Sequence, residues 1–131
     1  MRSADLRFVH LSDLHILAEP GRLQHGVDTA AILREAVPAI NRLRPDFVVA
    51  GGDLVSDGSE EAYRRLQTLL APLEAPIRFA LGNHDSRAAY RRVFQPEAAA
   101  SADPVCGVFE QSGVRFLLLD STIPGKEEGR L

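Results

Sequence analysis

The chain has 131 residues, 45% of them hydrophobic and 25% charged, enough for one domain with its own core and short for two. Its formal net charge of -3 supplies no basic excess to neutralise a phosphate backbone, which excludes a general nucleic-acid binder. The single cysteine, Cys106, excludes an internal disulfide, and no run approaches the ~18 apolar residues of a membrane span.

Met1 to Leu6 carries charge and no apolar run, so no secretory signal is expected, and a reducing, cytoplasmic setting follows as the expectation. Leu6 to Ser12 reads as a strand leading into Asp13-Leu14-His15. Asp28 can cap a helix whose face is Leu33, Val37, Ile40 and Leu43, and Pro38 inside it is expected to kink or divide it. Phe47 to Ala50 is a continuous apolar strand followed by Gly51-Gly52-Asp53. Ser59 can cap a second helix with Glu60 and Glu61 in its first turn, apolar at Tyr63, Leu66 and Leu70, and closed by Pro72. Ile77 to Leu81 is the third strand, running into Gly82-Asn83-His84-Asp85, and a short helix is expected over about Arg87 to Phe94. The pairs Arg64-Arg65 and Arg91-Arg92 fall in helical stretches and read as solvated faces.

Strand, helix, strand, helix, strand predicts a parallel βαβαβ sheet. After an irregular Pro96 to Pro104, the runs Val105 to Glu110 and Val114 to Leu119 flank Ser112-Gly113 and predict an antiparallel hairpin, with Cys106 as a small core residue. The tail from Ser121 to Leu131 shows no terminating element.

All three polar clusters follow the carboxyl ends of predicted parallel strands, the edge where open α/β sheets bind ligands. Adjacent strands would bring positions 13, 53 and 83 into one site. The donors there are the Asp13 and Asp53 carboxylates, the His15 imidazole and the Asn83 amide oxygen. Mixed oxygen and nitrogen ligands without thiolates suit Fe, Mn or Zn rather than Mg, Ca or a structural zinc. Two carboxylates in one pocket repel unless a cation lies between them. Taken singly, Asp13 could serve as a helix cap and Gly51-Gly52-Asp53 as an ordinary turn. Together, in this order and each at a strand end, the clusters point to a metal centre.

Asp13-Leu14-His15, Gly52-Asp53 and Gly82-Asn83-His84-Asp85 resemble the first three signature motifs of calcineurin-like metallophosphoesterases. The stretches His10 to His15, Gly52 to Val55, Leu118 to Ser121, Pro124-Gly125 and Gly129 to Leu131 are similar to the bacterial class III cyclic-nucleotide phosphodiesterases and their glycerophosphodiesterase relatives. The resemblance implies a four-layer α/β/β/α sandwich, of which this α/β chain would supply the N-terminal half, residues 1–131 forming a single, truncated domain. It implies two divalent metal ions (Fe, Mn or Zn), with Asp13 and His15 on the first, Asp53 bridging and Asn83 on the second. His84 is implied as the non-ligand histidine at the leaving oxygen, and Asp85 as an acid that orients His84 or its backbone. The implied reaction is hydrolysis of a small-molecule phosphodiester, a cyclic nucleotide or glycerophosphodiester, by a hydroxide bridging both ions. A phosphomonoesterase or broad-specificity phosphatase of the same fold is the alternative, and a non-catalytic scaffold the alternative from another class.

Family members draw further histidines from later Gly-His loops, whereas the last histidine here is His84. His10 is expected to face the neighbouring helix and His25 to lie in a surface loop. The metal site is therefore expected to be incomplete and residues 1–131 alone inactive, with an open sheet edge favouring self-association into a homo-oligomer. No nucleic-acid polymer and no membrane is expected as a partner.

Overall fold

The computed structural model describes residues 5–131. Three parallel strands, β1 (Phe8–Leu11), β2 (Phe47–Gly51) and β3 (Ile77–Ala80), lie in the order β1-β2-β3. The helices α1 (Thr29–Leu43) and α2 (Glu60–Leu70) make the two crossovers, and α3 (Arg87–Phe94) follows β3. A short 3₁₀ turn, Pro96–Ala98, leads to the antiparallel hairpin of β4 (Gly107–Gln111) and β5 (Val114–Leu118). The parallel βαβαβ unit and hairpin read from the sequence are both present.

Register decides which side chains meet which layer. Leu11, Ala50 and Phe79 are in register on one face. They pack with Leu33 and Val37 of α1, Tyr63 and Leu66 of α2 and Tyr90 of α3 in one apolar core. The helix starts are fixed as the residue types require: the Asp28, Ser59 and Ser86 side chains accept from the N–H groups of Ala31, Ala62 and Ala89. Pro38 does not divide α1, which runs unbroken from Thr29 to Leu43. Its ring lies on the exposed side of the helix, so the carbonyl it leaves without a partner can turn to water.

The opposite face carries Phe8 and Phe47, stacked at 5.1 Å between ring centroids. Phe109 and Phe116 of the hairpin meet Phe47 edge-on at 5.0 and 4.9 Å, and Arg78 sits 5.0 Å over the Phe109 ring. The hairpin is thus a second β layer against the sheet. Its turn, Ser112 (φ 51°) and Gly113 (φ 77°), has the two positive φ angles of a tight two-residue connection. The outer face of the hairpin leaves Val108 and Leu117 open, at 65% and 60% exposure.

Four expectations are corrected by the packing. His10 shares the face of Val49, on the hairpin side of the sheet, and its ring lies against Gly51 rather than a helix. Cys106 is exposed, since β4 begins only at Gly107 and alternation sends Val105 inward instead. Arg91 is not solvated; it is 5% exposed, because the 99–104 loop folds back over α3. Arg65 is likewise drawn from solvent, donating to the Leu17 and Glu19 carbonyls at 2.8 and 3.0 Å. His25 does lie on an exposed turn, paired with Gly26 at positive φ between Gln24 and Val27.

Asp120 ties the end of the hairpin to the helical layer. Its carboxylate accepts from Arg87 Nε (2.8 Å), Val105 N–H (2.7 Å) and the Thr122 hydroxyl (2.6 Å). Burial alone would raise its pKa, but the donors, Arg87 foremost, outweigh burial and hold it at about 2. A carboxylate depressed on folding stabilises the fold above its unfolded pKa of ~3.9 and loses that contribution as pH falls toward its folded value. The stability gap between the native chain and Asp120→Asn should therefore narrow by about 2 kcal/mol from pH 5 to pH 2. Denaturant titrations at the two pH values check this, and a constant gap would refute the ion-pair account.

Among the described residues no helix is long and apolar enough to cross a membrane.

Candidate metal centre

The loops leaving β1 and β2 do not diverge at the strand ends. Asp13 N–H donates to Gly52 O at 3.1 Å, His15 N–H to Asp53 O at 2.9 Å and Ile16 N–H to Leu54 O at 3.2 Å. Ser56 N–H returns to Ile16 O at 3.0 Å, so backbone pairing runs on past the sheet and carries both loops together. Ile16, Leu54 and Val55 are fully buried beneath it and anchor the segment in the core.

The residues carrying the donor groups adopt backbone that other side chains rarely accept. Asp13, His15 and Asp53 have φ of 55°, 43° and 48°. Left-handed non-glycine residues are uncommon, and each holds a cost of about 1 kcal/mol or more that the surrounding pairing must offset. The left-handed His15 turns its ring toward the loop after β2, where it meets Asp53.

The result is a convergence of unlike donors. His15 Nε2 lies 3.8 Å from Asp13 Oδ1 and 3.6 Å from Asp53 Oδ2. These separations are too long for hydrogen bonds and suit groups that share a cation. Among the described residues the buried His15 Nδ1 has no hydrogen-bond partner. Asp13 is mostly exposed and accepts from the neighbouring Ser12 hydroxyl, whereas the Asp53 side chain is only 14% exposed.

The turn after β3 closes the group. His84 N–H donates to Asp53 Oδ1 at 3.0 Å, and its ring stands 5.0 Å from that of His15 at a near-perpendicular angle. Ligand atoms of His15, Asp53 and His84 lie within 4.8 Å of one another, a group able to hold a metal ion. His84 Nδ1 is 2.8 Å from the Ser56 carbonyl. A carbonyl only accepts, so Nδ1 carries the proton and Nε2 is left free to act. This close approach depends on Gly82: a Cβ there would stand 2.2 Å from Asp53 Oδ1 and 2.5 Å from Asp53 N.

Asp85 is turned to the loops, not to the His84 ring. Its carboxylate accepts from the N–H groups of Gly82 (2.8 Å), Leu54 (3.1 Å) and Val55 (3.2 Å) and from the Tyr63 hydroxyl (2.9 Å). It therefore cross-links the turn bearing His84, the loop bearing Asp53 and helix α2. Burial raises its pKa above the ordinary value, with those donors pulling the other way. Burial, and then the Asp85 charge, likewise raise that of Tyr63. Asn83 sits in the same turn, exposed, and its side chain borders a neighbouring cavity.

Three supporting residues lie outside the sequence reading. Tyr63 is expected only as part of an apolar helix face, yet its hydroxyl also accepts from Ser86 N–H at 3.0 Å. A buried tyrosine needs a hydrogen-bond partner, and that was the available signal. Arg87 and the Ser56 carbonyl give no local sign of their roles.

The chain is similar to several known proteins. A family model described as calcineurin-like phosphoesterase matches residues 6–125. A 3',5'-cyclic adenosine monophosphate phosphodiesterase from Pseudomonas aeruginosa is 39% identical over 130 residues, 98% of this chain and 46% of its own length. A glycerophosphodiester phosphodiesterase from Enterobacter lignolyticus is 31% identical over 127 residues, 93% of this chain and 46% of its own. The crystal structure of a dimetal phosphatase from Danio rerio shares the fold, with a TM-score of 0.52 at 22% identity over 74% of this chain and 34% of that one. The chain spans about half the length of the curated relatives it matches. With the family model covering nearly all of it, the chain belongs to the calcineurin-like phosphoesterase family.

Proposed function

We propose that the protein hydrolyses small phosphodiesters, cyclic nucleotides or glycerophosphodiesters, at a centre of two divalent metal ions chosen from Fe, Mn and Zn. The observation that carries this reading is the approach of His15 Nε2 to two carboxylates at 3.6 and 3.8 Å, with His84 alongside. In this reading Asp13 and His15 serve one ion, Asp53 both, and Asn83 the other. Bound ions supply Lewis acidity toward the phosphoryl oxygens and make water a stronger nucleophile at neutral pH. The named relatives support the diester as substrate class, since one acts on 3',5'-cyclic adenosine monophosphate and the other on glycerophosphodiesters.

The chain's own contribution is positioning and proton transfer. Water adds to phosphorus and releases a proton to solvent, the P–O bond to one alcohol breaks, and His84 Nε2, supplied with a proton from solvent, passes it to the departing oxygen. The Ser56 carbonyl holds the ring by its Nδ1–H, so that Nε2 faces the substrate. Asp85 keeps the loops of Asp53 and His84 in mutual register.

In a protein of the relatives' full length, His84→Ala should retain metal and lower turnover by about 10²–10⁴-fold. Metal content by mass spectrometry and hydrolysis of bis-4-nitrophenyl phosphate in Mn²⁺ check both halves. Loss of metal would make His84 a ligand instead. Faster turnover of 4-nitrophenyl phosphate than of the diester would replace the phosphodiesterase with a phosphomonoesterase.

A further inference from the structure

The turn that carries His84 has a second side. Asn83 and Asp85 border a cavity of about 530 Å³, within the size range of small-molecule sites. Its walls are the alanines at 99, 100 and 102 and the Ile123-Pro124-Gly125 turn. That turn is set by its sequence: Pro124 precedes Gly125 at φ 76°, and Lys126 N–H closes onto Ile123 O at 3.0 Å.

Two arginines one helical turn apart on α3 fasten these walls to the helix that follows the catalytic turn. Arg87 pairs with Asp120 at 2.8 Å and donates to the Thr122 carbonyl at 2.8 Å. Arg91 donates to the carbonyls of Ser101 and Pro104 at 3.1 and 3.3 Å. A guanidinium buried to 5% exposure is costly unless donors are used, and here both terminal nitrogens hold a loop that no strand or helix would otherwise order. The cavity is thus held open beside the candidate centre.

We propose that this cavity receives the alcohol portion of the phosphoester whose phosphoryl group meets His15, Asp53 and His84, with Ala99–Ala102 and Ile123 as the specificity surface. This rests on the phosphoesterase reading above. One turn serves both ends of the substrate, since His84 stands with the donors while Asn83, its neighbour in the turn, borders the cavity. Methyl-lined walls reward apolar ring area, and small alanines leave the room for it. Glycerol would leave those walls wet and its hydroxyls poorly matched, so the surface suits an aromatic alcohol, a nucleoside among them.

The test is titration calorimetry in Mn²⁺ with inorganic phosphate, glycerol 3-phosphate and 1-naphthyl phosphate, on the native chain and Ala100→Trp. Ala100 is exposed, so the added ring fills the cavity without entering the core. Naphthyl phosphate should bind the native chain about tenfold more tightly than glycerol phosphate, and the ratio should collapse toward one in the variant. Phosphate binding with equal ester affinities, or an unchanged ratio in Ala100→Trp, overturns the cavity assignment alone. Absence of any phosphate binding overturns the phosphoesterase reading and the cavity assignment with it.

Discussion

In a protein of the relatives' full length, Asp53→Ala is expected to remove metal retention and phosphodiester hydrolysis together, with affinity for Mn²⁺ falling by about 100-fold or more. Two separate losses act at once. The carboxylate oxygen facing His15 Nε2 at 3.6 Å disappears, leaving Asp13, itself mostly exposed, as the remaining carboxylate beside that ring. The other oxygen, which accepts from His84 N–H at 3.0 Å, disappears as well, so the turn after β3 loses its tie to the centre. Asp53→Asn separates the two effects. Its amide oxygen can still accept from His84 N–H, but it brings no charge to a cation. Calorimetric Mn²⁺ titration of both variants should show Asn weaker than native and Ala weaker still. Native-like affinity in Asp53→Ala would remove this residue from the centre.

Much of the fold could be read locally because its signals are local. Asp28 and Ser59 cap their helices, and the Ser112-Gly113 pair closes the hairpin, each through chemistry carried by the residue itself. The gathering of the three motifs was also legible, because strand ends in a parallel sheet collect them on one edge. What was not legible depends on distant partners. Nothing in the type of Asp13, His15 or Asp53 announces left-handed backbone; the pairing of the two loops imposes it. Arg91 looks like a surface residue of an amphipathic helix until a loop about ten residues onward covers it. Pro38 misleads in the opposite sense, since its cost depends on which side of α1 it occupies. Cys106 shows how one residue of strand register exchanges inside for outside.

Asp85→Ala should be the most destabilising single change at the edge of the sheet. The native carboxylate satisfies three backbone N–H groups and the hydroxyl of a fully buried tyrosine. Alanine leaves those donors without a partner, and each unsatisfied buried donor costs about 1–3 kcal/mol, less than additively. A loss of about 3–5 kcal/mol is expected, a large share of the stability of a domain this size. Tyr63→Phe removes one of the four donors and the acceptor of Ser86 N–H while keeping the ring packed, and should cost about 1–2 kcal/mol. Asp85→Asn should fall between, because its amide oxygen accepts some of these bonds while its NH₂ faces other donors. The same carboxylate holds the 53–55 loop against the 82–85 turn, so Mn²⁺ affinity should fall in the order Tyr63→Phe, Asp85→Asn, Asp85→Ala. Denaturant unfolding and metal titration of the three variants measure both ladders. Asp85→Ala within about 1 kcal/mol of native would show that water can replace the carboxylate, and the cross-link would then not be what holds the donors together.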